Sequence, residues 1–563
     1  MVGDATSAAA RAVDPSGWAM SEEVATALHA VIAARRDVRR YRPDPVPPGV
    51  LQQLLTAGHQ APSVGHSQPW RFVVIRSQAT RDKAALLADR ERLRQAALLT
   101  PDRSARLLDL QLDGIREAPI GIVVACDRRA PAAGVLGRAG FVDADMWSCA
   151  CAVQNIWLSA RAAGLGVGWV TLFQPSDLAD LLELPDGVAT IGWLCVGWPD
   201  ERPPEPGLER NGWSRRLPLN DVVITEKWPS DGGPEAPVSH LAGPDPHAIV
   251  TARDSGDDLL TVPGSLGILD LAVNRVLALT GVPPTGGTLI VAAAEHPVTQ
   301  HGVSAYPASV TADVLAASRL GVSLGAVTAR QAGLQFEVVH ARSTDAAGDL
   351  VYSDAMPIDV AEALIGRGEE LGRRLAANGL VCLGEVGIGN TTVAAALACE
   401  LARLEPSGAV GLGVGSDSAM MRRKRNVVAR AISRARADYS DGLADPRVLL
   451  AALGGPEIAF LAGVALGAAS LRAPVVLDGL VTSVAALLAV RLEPAVQSAL
   501  VAGQLSREPA HLAILTELGL EPLLQLRLRA GEGVGACLAA QLLLTALQAR
   551  RLTARINQEL DTS

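Results

Sequence analysis

Apolar positions in the N-terminal half recur first at helical and then at strand-like spacing. After Ser21, whose hydroxyl is suited to cap a helix, apolar residues from Val24 to Ile32 fall on one face of a predicted helix. Further apolar runs predict three strands, at 70–75, 120–126 and 191–198, and one long helix at 145–163. A few strands separated by long helices, without strict alternation, indicate an α+β layer fold.

The C-terminal half alternates more regularly between short apolar runs and helical stretches. The runs that predict strands lie at 288–294, 335–341, 379–385, 408–414 and 474–479. Strands that alternate with helices are typical of a parallel sheet covered by helices, so this half is predicted to be an α/β domain. The most apolar region, 458–490, is broken by Arg472, Pro474 and Asp478, which favours buried helices and strands over a membrane-spanning helix.

A segment without periodicity separates the two halves. Residues 229–247 are rich in proline and glycine, a composition typical of a linker. With 563 residues the chain is also too long for one hydrophobic core, since single cores stop growing at roughly 250–300 residues. We therefore predict a disordered tail at 1–20, a first domain at 21–228, the linker at 229–247 and a second domain at 248–563.

Composition excludes several classes of protein. Hydrophobic residues make up 49% and charged residues 19% of the chain, which is typical of a globular protein and not of a disordered one. The net charge of −9 offers no basic surface for nucleic acid or for an anionic membrane. The N-terminus lacks the apolar core of a signal peptide, and the seven cysteines show neither disulfide nor zinc spacing. These features predict a cytoplasmic protein with reduced thiols and no metal site.

Candidate chemistry in the first domain begins with an arginine-rich segment, 35–47. Arg35 and Arg39 are four residues apart and would share a helix face if the first helix continued that far. Planar guanidinium groups match the oxygens of a phosphate, so the pair could bind a phosphorylated ligand. The alternative is a solvated helix end whose arginines complement the helix dipole.

Two glycine-containing segments follow. A loop at 61–69 precedes a strand and leaves Ser63 and Gln68 free to hydrogen-bond a planar heterocycle, with an ordinary loop as the alternative. The segment 164–173 has three alternate glycines after a helix, but it lacks the glycine spacing of a dinucleotide-binding turn. Its glycines would permit the backbone to approach either a ligand or another strand.

Together these segments resemble the 5,6-dimethylbenzimidazole synthase branch of the nitroreductase-like flavoproteins. The resemblance covers about residues 22–228, and its motifs occur in the same order: 34-ARRDVR-39, 60-QAPSVGHSQPW-70, 114-GIREAPI-120, 151-CAVQNIWLSARAAGLGVGW-169 and 211-NGWSRRLPL-219. It implies a nitroreductase-like α+β fold that binds FMN. In that family reduced FMN is consumed as the substrate, because O2 breaks it into dimethylbenzimidazole and erythrose 4-phosphate. The reducing equivalents come from NAD(P)H through a flavin reductase.

The same resemblance implies roles for individual residues. The residues implied to bind the flavin phosphate and ring are Arg35, Arg36, Arg39, Ser63, Gly65, Gln68, Gly166 and Gly168. Asp37 matches an acid that is essential in the family, and a carboxylate there could move the protons that accompany ring cleavage. An ion pair with a neighbouring arginine is the alternative for Asp37. Thr171 stands where the family usually has a serine, and because it keeps the hydroxyl we predict a catalytic role with reduced or retained activity.

Candidate chemistry in the second domain lies in an acidic glycine turn, a phosphate loop and a basic run. Glu532, within 527–537, could approach a bound ring and accept its proton; a helix N-terminal acid that binds free amides is the alternative. The segment 384–396 follows a predicted strand and opens a helix, which suits an anion, although it lacks the ending of a nucleotide P-loop. Lys424, in the basic run 422–430, could reach a phosphate, or the run is a solvated face.

These segments resemble the nicotinate-nucleotide–dimethylbenzimidazole phosphoribosyltransferases, an α/β parallel-sheet family, over about residues 250–555. The motifs are 263-PGSLG-267, 302-GVSAYP-307, 384-GEVGIGNTT-392, 454-GGPEIAFLAG-463, 474-PVVLDG-479 and 530-AGEGVGA-536. By that resemblance Glu532 removes the azole proton as the ring nitrogen attacks the anomeric carbon of nicotinate mononucleotide. Nicotinate leaves and α-ribazole 5′-phosphate forms. The substrate-binding residues implied in the same way are Glu385, Gly387, Asn390, Thr391 and Lys424.

The second domain departs from the family pattern in three places. The segment 295–302 has Pro297 where the family has glycine and His301 where it has glutamate. A glycine–threonine–asparagine segment usual in the family is absent from 342–357, and the lysine that usually precedes the motif at 263 is missing. The predicted base is therefore present in an altered pocket.

The product of the first predicted activity is the acceptor substrate of the second. The sequence thus predicts a bifunctional enzyme of cobalamin lower-ligand biosynthesis that acts on small molecules and binds neither nucleic acid nor membrane. Because both families form homodimers, the resemblance implies a homodimer. The alternative is an NAD(P)H:FMN oxidoreductase or nitroreductase joined to a non-catalytic domain that binds a benzimidazole or a nucleotide.

Overall fold

The computed structural model describes residues 19–100, 103–104, 107–108, 114–210, 213–228, 239–341, 348–411 and 418–556. The chain divides into two compact units, residues 18–231 and 232–563, and each unit has its own hydrophobic core. Residues 1–18 of the predicted tail and 229–238 of the predicted linker lie outside the described residues.

The N-terminal unit is an antiparallel sheet with helices packed against it. Its strands are β1 (Trp70–Ile75), β2 (Ile120–Asp127), β3 (Gly166–Val170) and β4 (Val188–Gly197). They lie in the order β1–β2–β4–β3, and every neighbouring pair is antiparallel. The helices are α1 (Glu22–Ala34), α2 (Pro48–His59), α3 (Gln78–Ala97), α4 (Ala144–Ala162), α5 (Pro175–Leu181) and α6 (Gly207–Arg210). The predicted α+β class is confirmed.

Two elements dominate the core of this unit. The central strand β2 is buried along nearly its whole length, as its continuous apolar run predicts. Helix α4 buries Cys149, Val153, Ile156 and Ala160, which are three or four residues apart and therefore share one face. Outside this core, the Ser21 hydroxyl accepts a hydrogen bond from the Val24 amide at 3.4 Å and caps α1, as predicted.

The C-terminal unit is a five-stranded parallel sheet surrounded by helices. Its strands are β5 (Gly287–Ala293), β6 (Gln335–His340), β7 (Leu380–Val386), β8 (Val475–Leu477) and β9 (Leu500–Ala502), in the order β6–β5–β7–β8–β9. The helices that precede β7 are α7 (Pro246–Asp257), α8 (Ile268–Thr280), α9 (Ser309–Arg319), α10 (Leu324–Gln331) and α11 (Ile358–Ala376). The later helices are α12 (Asn390–Leu401), α13 (Pro406–Ala409), α14 (Ser418–Tyr439), α15 (Pro446–Leu453), α16 (Pro456–Ser470), α17 (Leu480–Leu492), α18 (Ala510–Glu517) and α19 (Val534–Leu552). The predicted α/β class is confirmed.

Because all five strands run parallel, the loops that follow them meet at one edge of the sheet. Clefts at the carboxyl ends of parallel strands are where α/β proteins bind ligands. The register places Ala293 of β5 opposite Val386 of β7, so both strands end at the same level. The sheet thus brings residues from distant parts of the chain to one edge.

The most apolar region of the chain forms two buried helices, as the sequence predicts. Helices α16 and α17 are buried over most of their lengths. Helix α16 crosses α11 so closely that a Cβ atom at Gly463 would lie 2.0 Å from the Ile365 carbonyl oxygen. By length and composition Ser309–Gln331 could cross a membrane. This segment is two helices, α9 and α10, with Gly321 between them in the left-handed region at φ 69°.

The structure differs from the predicted elements at four places. The strand predicted at 408–414 is wrong for its described part, because α13 turns there and no strand follows through 411; residues 412–414 lie outside the described residues. Strands β3 and β9 were not predicted as strands. Helix α7 begins within the predicted linker, where the Asp245 carboxylate accepts a hydrogen bond from the His247 amide at 2.7 Å.

Candidate active sites

The arginine-rich segment of the N-terminal unit is extended, not helical. Helix α1 ends at Ala34, so Arg35 and Arg39 do not share a helix face. The Arg35 guanidinium lies 4.6 Å from the ring centroid of Trp157. This contact holds the charge of Arg35 near the end of α4. The Arg36 guanidinium donates to the backbone carbonyls of Ala33 and Pro204, each at 2.8 Å. Arg36 therefore connects the end of α1 with the segment that contains Pro204 in this conformation.

Asp37 forms an ion pair with Arg39, as the alternative interpretation of the sequence expects. Its second oxygen accepts a hydrogen bond from the Trp169 amide at 3.2 Å, and Arg39 donates to the Trp169 carbonyl at 3.0 Å. Burial raises the pKa of Asp37, while the charge of Arg39 opposes that rise. A carboxyl group with a raised pKa, beside a guanidinium, can exchange a proton with a bound ligand.

The predicted glycine-rich turn is strand β3, and its glycines make room for the segment that carries Asp37. The Val38 amide donates to the Val167 carbonyl at 3.0 Å. A Cβ atom at Gly168 would lie 2.4 Å from the Val38 carbonyl oxygen, and one at Gly166 would lie 2.8 Å from the Val38 Cβ. Both glycines thus serve a close backbone approach here, and their contact with a cofactor stays a prediction. Thr171 follows β3 and is exposed.

The predicted ring-binding loop is a strained turn that rests on α4. Gly65 has φ 52°, and a Cβ atom there would lie 2.8 Å from the Leu136 amide nitrogen. Gln68 also has a positive φ of 47°, a conformation that costs energy in a residue with a side chain. The Ser63 hydroxyl accepts a hydrogen bond from the Gln68 amide at 3.1 Å, so Ser63 stabilises the turn.

Helix α4 relates this turn to the arginine segment. The Ser148 hydroxyl near its beginning accepts a hydrogen bond from the Val64 amide at 3.1 Å, and Trp157 near its end carries Arg35. Nine residues of helix separate Ser148 from Trp157, which corresponds to about 13 Å along the axis. The structure therefore places the predicted ring-binding turn and the Arg35 side chain near opposite ends of one helix.

A cavity of about 430 Å³ lies beside the strained turn and was not predicted from the sequence. Its lining includes Ser67, Arg71 and Asp145. Asp145 is buried and binds Arg128 at 3.0 Å and Arg138 at 2.9 Å. Because arginines in a sequence are usually surface residues, no local signal marked this charged cavity.

In the C-terminal unit a cavity of about 440 Å³ lies at the carboxyl ends of the strands. The residues predicted from the sequence that line it are Glu385, Gly387, Asn390, Thr391, Lys424 and Glu532. They come from segments that are up to 147 residues apart, from Glu385 to Glu532. Every substrate-binding residue predicted for this domain thus lies around one cavity.

Glu532 is held in a defined orientation at the edge of this cavity. Its backbone is left-handed at φ 55°, and its amide donates to the Glu385 carbonyl at 3.1 Å. Its Oε2 accepts a hydrogen bond from the Gly325 amide at 3.0 Å, at the beginning of α10. Glu532 is therefore a helix N-terminal acid, as the alternative interpretation expects, but of a helix far away in the sequence. Among the described residues, its Oε1 has no hydrogen-bond partner.

The predicted phosphate loop has amides and a buried lysine at the start of α12. Gly389 precedes this helix at φ 100°, and the Asn390 side chain donates to Glu385. The Lys424 ammonium lies 3.4 Å from the Thr391 hydroxyl. Lys424 is only 4% exposed, so the solvated-face interpretation is wrong for this residue. Burial lowers the pKa of Lys424, while Glu508 opposes that change.

Several acids line the cavity, two of which the sequence did not identify as site residues. Burial and the nearby carboxylates of Asp478 and Glu457 raise the pKa of Glu385 to about 8. Burial raises the pKa of Asp478 to about 6, although its hydrogen bonds with Gln504 and the Gly535 amide oppose this. Asp478 lies in the family motif 474–479, which was given no role in the site, and Glu508 lies outside the family motifs. The fold brings both side chains to the cavity.

Both units are similar to known proteins. Residues 241–558 match the family model described as phosphoribosyltransferase. A nicotinate-nucleotide–dimethylbenzimidazole phosphoribosyltransferase of Thermus thermophilus is 39% identical over 319 residues, covering 53% of this chain and 94% of that protein. The crystal structure of CobT from the same species is 36% identical, covers 55% of this chain and 97% of its own, and has a TM-score of 0.51.

The N-terminal unit matches a different family. Residues 32–198 match the nitroreductase family model. A 5,6-dimethylbenzimidazole synthase of Rhodospirillum rubrum is 40% identical over 193 residues, covering 34% of this chain and 90% of that protein. The chain belongs to both families. It is a fusion of a 5,6-dimethylbenzimidazole synthase-type nitroreductase unit with a phosphoribosyltransferase unit, as the two resemblances predicted.

The structure accounts for the two substitutions in 295–302, the first of the three departures from the phosphoribosyltransferase pattern. Pro297 occupies the first turn of a short 3₁₀ helix, Pro297–His301, a position that proline tolerates. His301 pairs with Asp349 at 2.7 Å. Beneath the phosphate loop, buried His296 lies 3.0 Å from Glu457. Both histidines of the altered segment therefore pair with acids from other parts of this unit. Residues 342–347 of the segment 342–357 lie outside the described residues.

Proposed function

We propose that this chain makes 5,6-dimethylbenzimidazole from reduced FMN and O2 and then transfers a phosphoribosyl group to it. The two units would thus perform consecutive steps of cobalamin lower-ligand biosynthesis. Relatives of the two units are named for these two activities. The observation that carries the proposal is the single cavity around Glu532, Glu385 and Lys424, since it supplies a base and an anion site together.

In the transferase step, the free Oε1 of Glu532 takes the proton from one ring nitrogen of the azole. The other ring nitrogen attacks the anomeric carbon of nicotinate mononucleotide, and the glycosidic bond to nicotinate breaks as the new bond forms. The hydrogen bond from Gly325 fixes the carboxylate, which lowers the cost of orienting it in the transition state. The phosphate of the substrate would bind the amides at the start of α12 and the ammonium of Lys424.

In the synthase step, the N-terminal unit would hold reduced FMN along α4. Arg35 lies at the end suited to the phosphate, and the turn with Ser63 and Gln68 lies at the end suited to the ring. Arg39, in the segment that follows Arg35, would add a second guanidinium. Arg36 donates to carbonyl oxygens in this conformation, so its contact with the phosphate stays a prediction. The raised pKa of Asp37 suits a group that gives and takes protons while the ring system is cleaved.

The experiment uses the purified full chain with reduced FMN, air and nicotinate mononucleotide, followed by mass spectrometry. We expect irreversible loss of flavin absorbance, followed by nicotinate and α-ribazole 5′-phosphate. An Asp37→Asn variant should make no dimethylbenzimidazole, but it should still convert dimethylbenzimidazole that is added. A Glu532→Gln variant should make dimethylbenzimidazole and accumulate it. If the flavin returned intact after exposure to air, the N-terminal unit would be an oxidoreductase that recycles FMN, an alternative that the relatives do not favour.

We also propose that the protein is a cytoplasmic homodimer that receives reduced FMN from an NAD(P)H-dependent flavin reductase. Cysteines without disulfides are consistent with a reducing compartment, and no disulfide joins the seven cysteines, all of which lie within the described residues. Light scattering coupled to size exclusion would measure the mass of the assembly. A mass of one chain would contradict the dimer.

A further inference from the structure

A second cavity of the C-terminal unit is separate from the transferase cavity. It has a volume of about 520 Å³ and lies among α7, α8, the 3₁₀ helix Pro494–Ala499, β9 and the segment 519–523. No residue lines both cavities. Cavities of this size hold small organic molecules, which usually require roughly 300–1,000 Å³. A second ligand can therefore be bound without displacing the transferase substrates.

The walls of this cavity are mainly aliphatic. Ile268 and Leu271 of α8, Leu500 of β9, and Leu520 and Leu523 of the last segment line it. Leu271 is 64% exposed, so a ligand that covered it would remove apolar surface from water. The lining thus favours a ligand with an apolar body.

One guanidinium in this cavity has no carboxylate partner. Arg275 donates from Nη1 to the Gln497 carbonyl at 2.8 Å, and among the described residues no acid forms an ion pair with it. Burial lowers the pKa of Arg275, and no neighbouring acid opposes that change. Arg253 also lines the cavity, and the exposed Glu521 carries the opposite charge there. A half-buried cation without a counterion is costly unless an anion joins it.

We propose that this cavity binds a small organic monoanion, with its charged group on Arg275 and its apolar body against the leucines. The inference is independent of the function proposed for the transferase cavity, because it uses none of the same residues. The chemical class is an apolar carboxylate or sulfonate. A neutral molecule of the same shape would have the apolar contacts but would leave Arg275 without a counterion.

The test uses the full chain and two fluorescent probes of similar shape. The anionic probe is 8-anilinonaphthalene-1-sulfonate, and the neutral probe is N-phenyl-1-naphthylamine. We expect saturable binding of the anionic probe, weakened about tenfold or more by Arg275→Gln, since hydrogen bonds to charged groups are of that strength. Arg275→Lys should retain part of the affinity, and the neutral probe should bind wild type and Arg275→Gln equally.

The matched control is Arg319→Gln, which removes an exposed arginine in the last turn of α9 that lines neither cavity. It should bind both probes as wild type does. The proposal is overturned if Arg275→Gln binds the anionic probe as tightly as wild type. It is also overturned if the variant loses both probes equally, because Arg275 would then only shape the cavity.

Discussion

The carboxylate of Glu532 accepts a hydrogen bond from the backbone amide of Gly325, 207 residues earlier in the chain. Ser323 caps the same helix by accepting from the Ala326 amide at 3.3 Å, so two side chains satisfy the first turn of α10. The helix end and the carboxylate stabilise each other. One oxygen of Glu532 is thereby fixed, and the other is available for the proton transfer that we propose.

Replacing Glu532 by glutamine should separate this capping role from proton transfer. The amide oxygen can still accept from Gly325, so the fold should be retained, whereas the base is lost. We expect nicotinate release to fall by about 10²–10⁴-fold, the usual contribution of a positioned general base. The measurement is release of nicotinate from nicotinate mononucleotide with added dimethylbenzimidazole. Glu362→Gln is the control and should turn over as wild type does. If Glu532→Gln also turned over at the wild-type rate, Glu532 would be ruled out as the base.

Adding a methyl group at Gly325 should disturb Glu532 from the opposite side of the contact. A Cβ atom there would lie 2.4 Å from the Glu532 carbonyl oxygen, so the turn with Glu532 must shift. Because displacement of a catalytic group by about 1 Å can cost about 10²-fold in rate, we expect transferase activity to fall steeply in Gly325→Ala. Gly366→Ala is the matched control, since Gly366 lies inside α11 with open space around its Cβ position. Equal activity of the two variants would contradict this account.

The pKa of Glu385 should make the stability of the C-terminal unit depend on pH. Its pKa is raised from 4.5 to about 8, so folding favours the protonated form. The resulting stability is fully present below pH 4.5 and is lost as the pH rises through about 8. We expect Glu385→Gln to lose less stability than wild type between about pH 5 and about pH 9, as followed by the thermal midpoint. If the thermal midpoints of the two proteins changed with pH in parallel, Glu385 would be ionised in the folded state over this pH range.

Gly168 in β3 should be needed for folding of the N-terminal unit even without a ligand. Gly168→Ala would place a Cβ atom 2.4 Å from the Val38 carbonyl oxygen and push away the segment that carries Asp37. Overpacking of this kind typically costs about 1–3 kcal/mol. Thermal unfolding without flavin measures the loss, and Gly134→Ala is the control because its Cβ would have no neighbour within 4 Å. An unchanged midpoint for Gly168→Ala would show that the strand can move aside at no cost.

Strands β3 and β9 were not predicted, because the hydrophobic pattern in these segments is too weak to indicate a strand. Strand β3 has glycine at two of its five positions, Gly166 and Gly168, which weakens its strand pattern, and β9 is only three residues long. The segment at 408–414 mixes glycines with apolar residues in a strand-like way, but its first two residues are the end of α13. The local sequence pattern does not show which of these segments form strands, because tertiary contacts determine whether a strand forms.

The sequence by itself determined the two fold classes, the main strands and helices, and the residue types that carry the chemistry, including Glu532 and Lys424. These depend on periodicity and on motifs that are contiguous in the chain. Only the tertiary structure decided that Glu532 binds Gly325, that Lys424 is buried and that Arg36 binds carbonyl oxygens. Such pairings join segments that are far apart in sequence, and a side chain's partner, burial and pKa depend on what packing brings beside it.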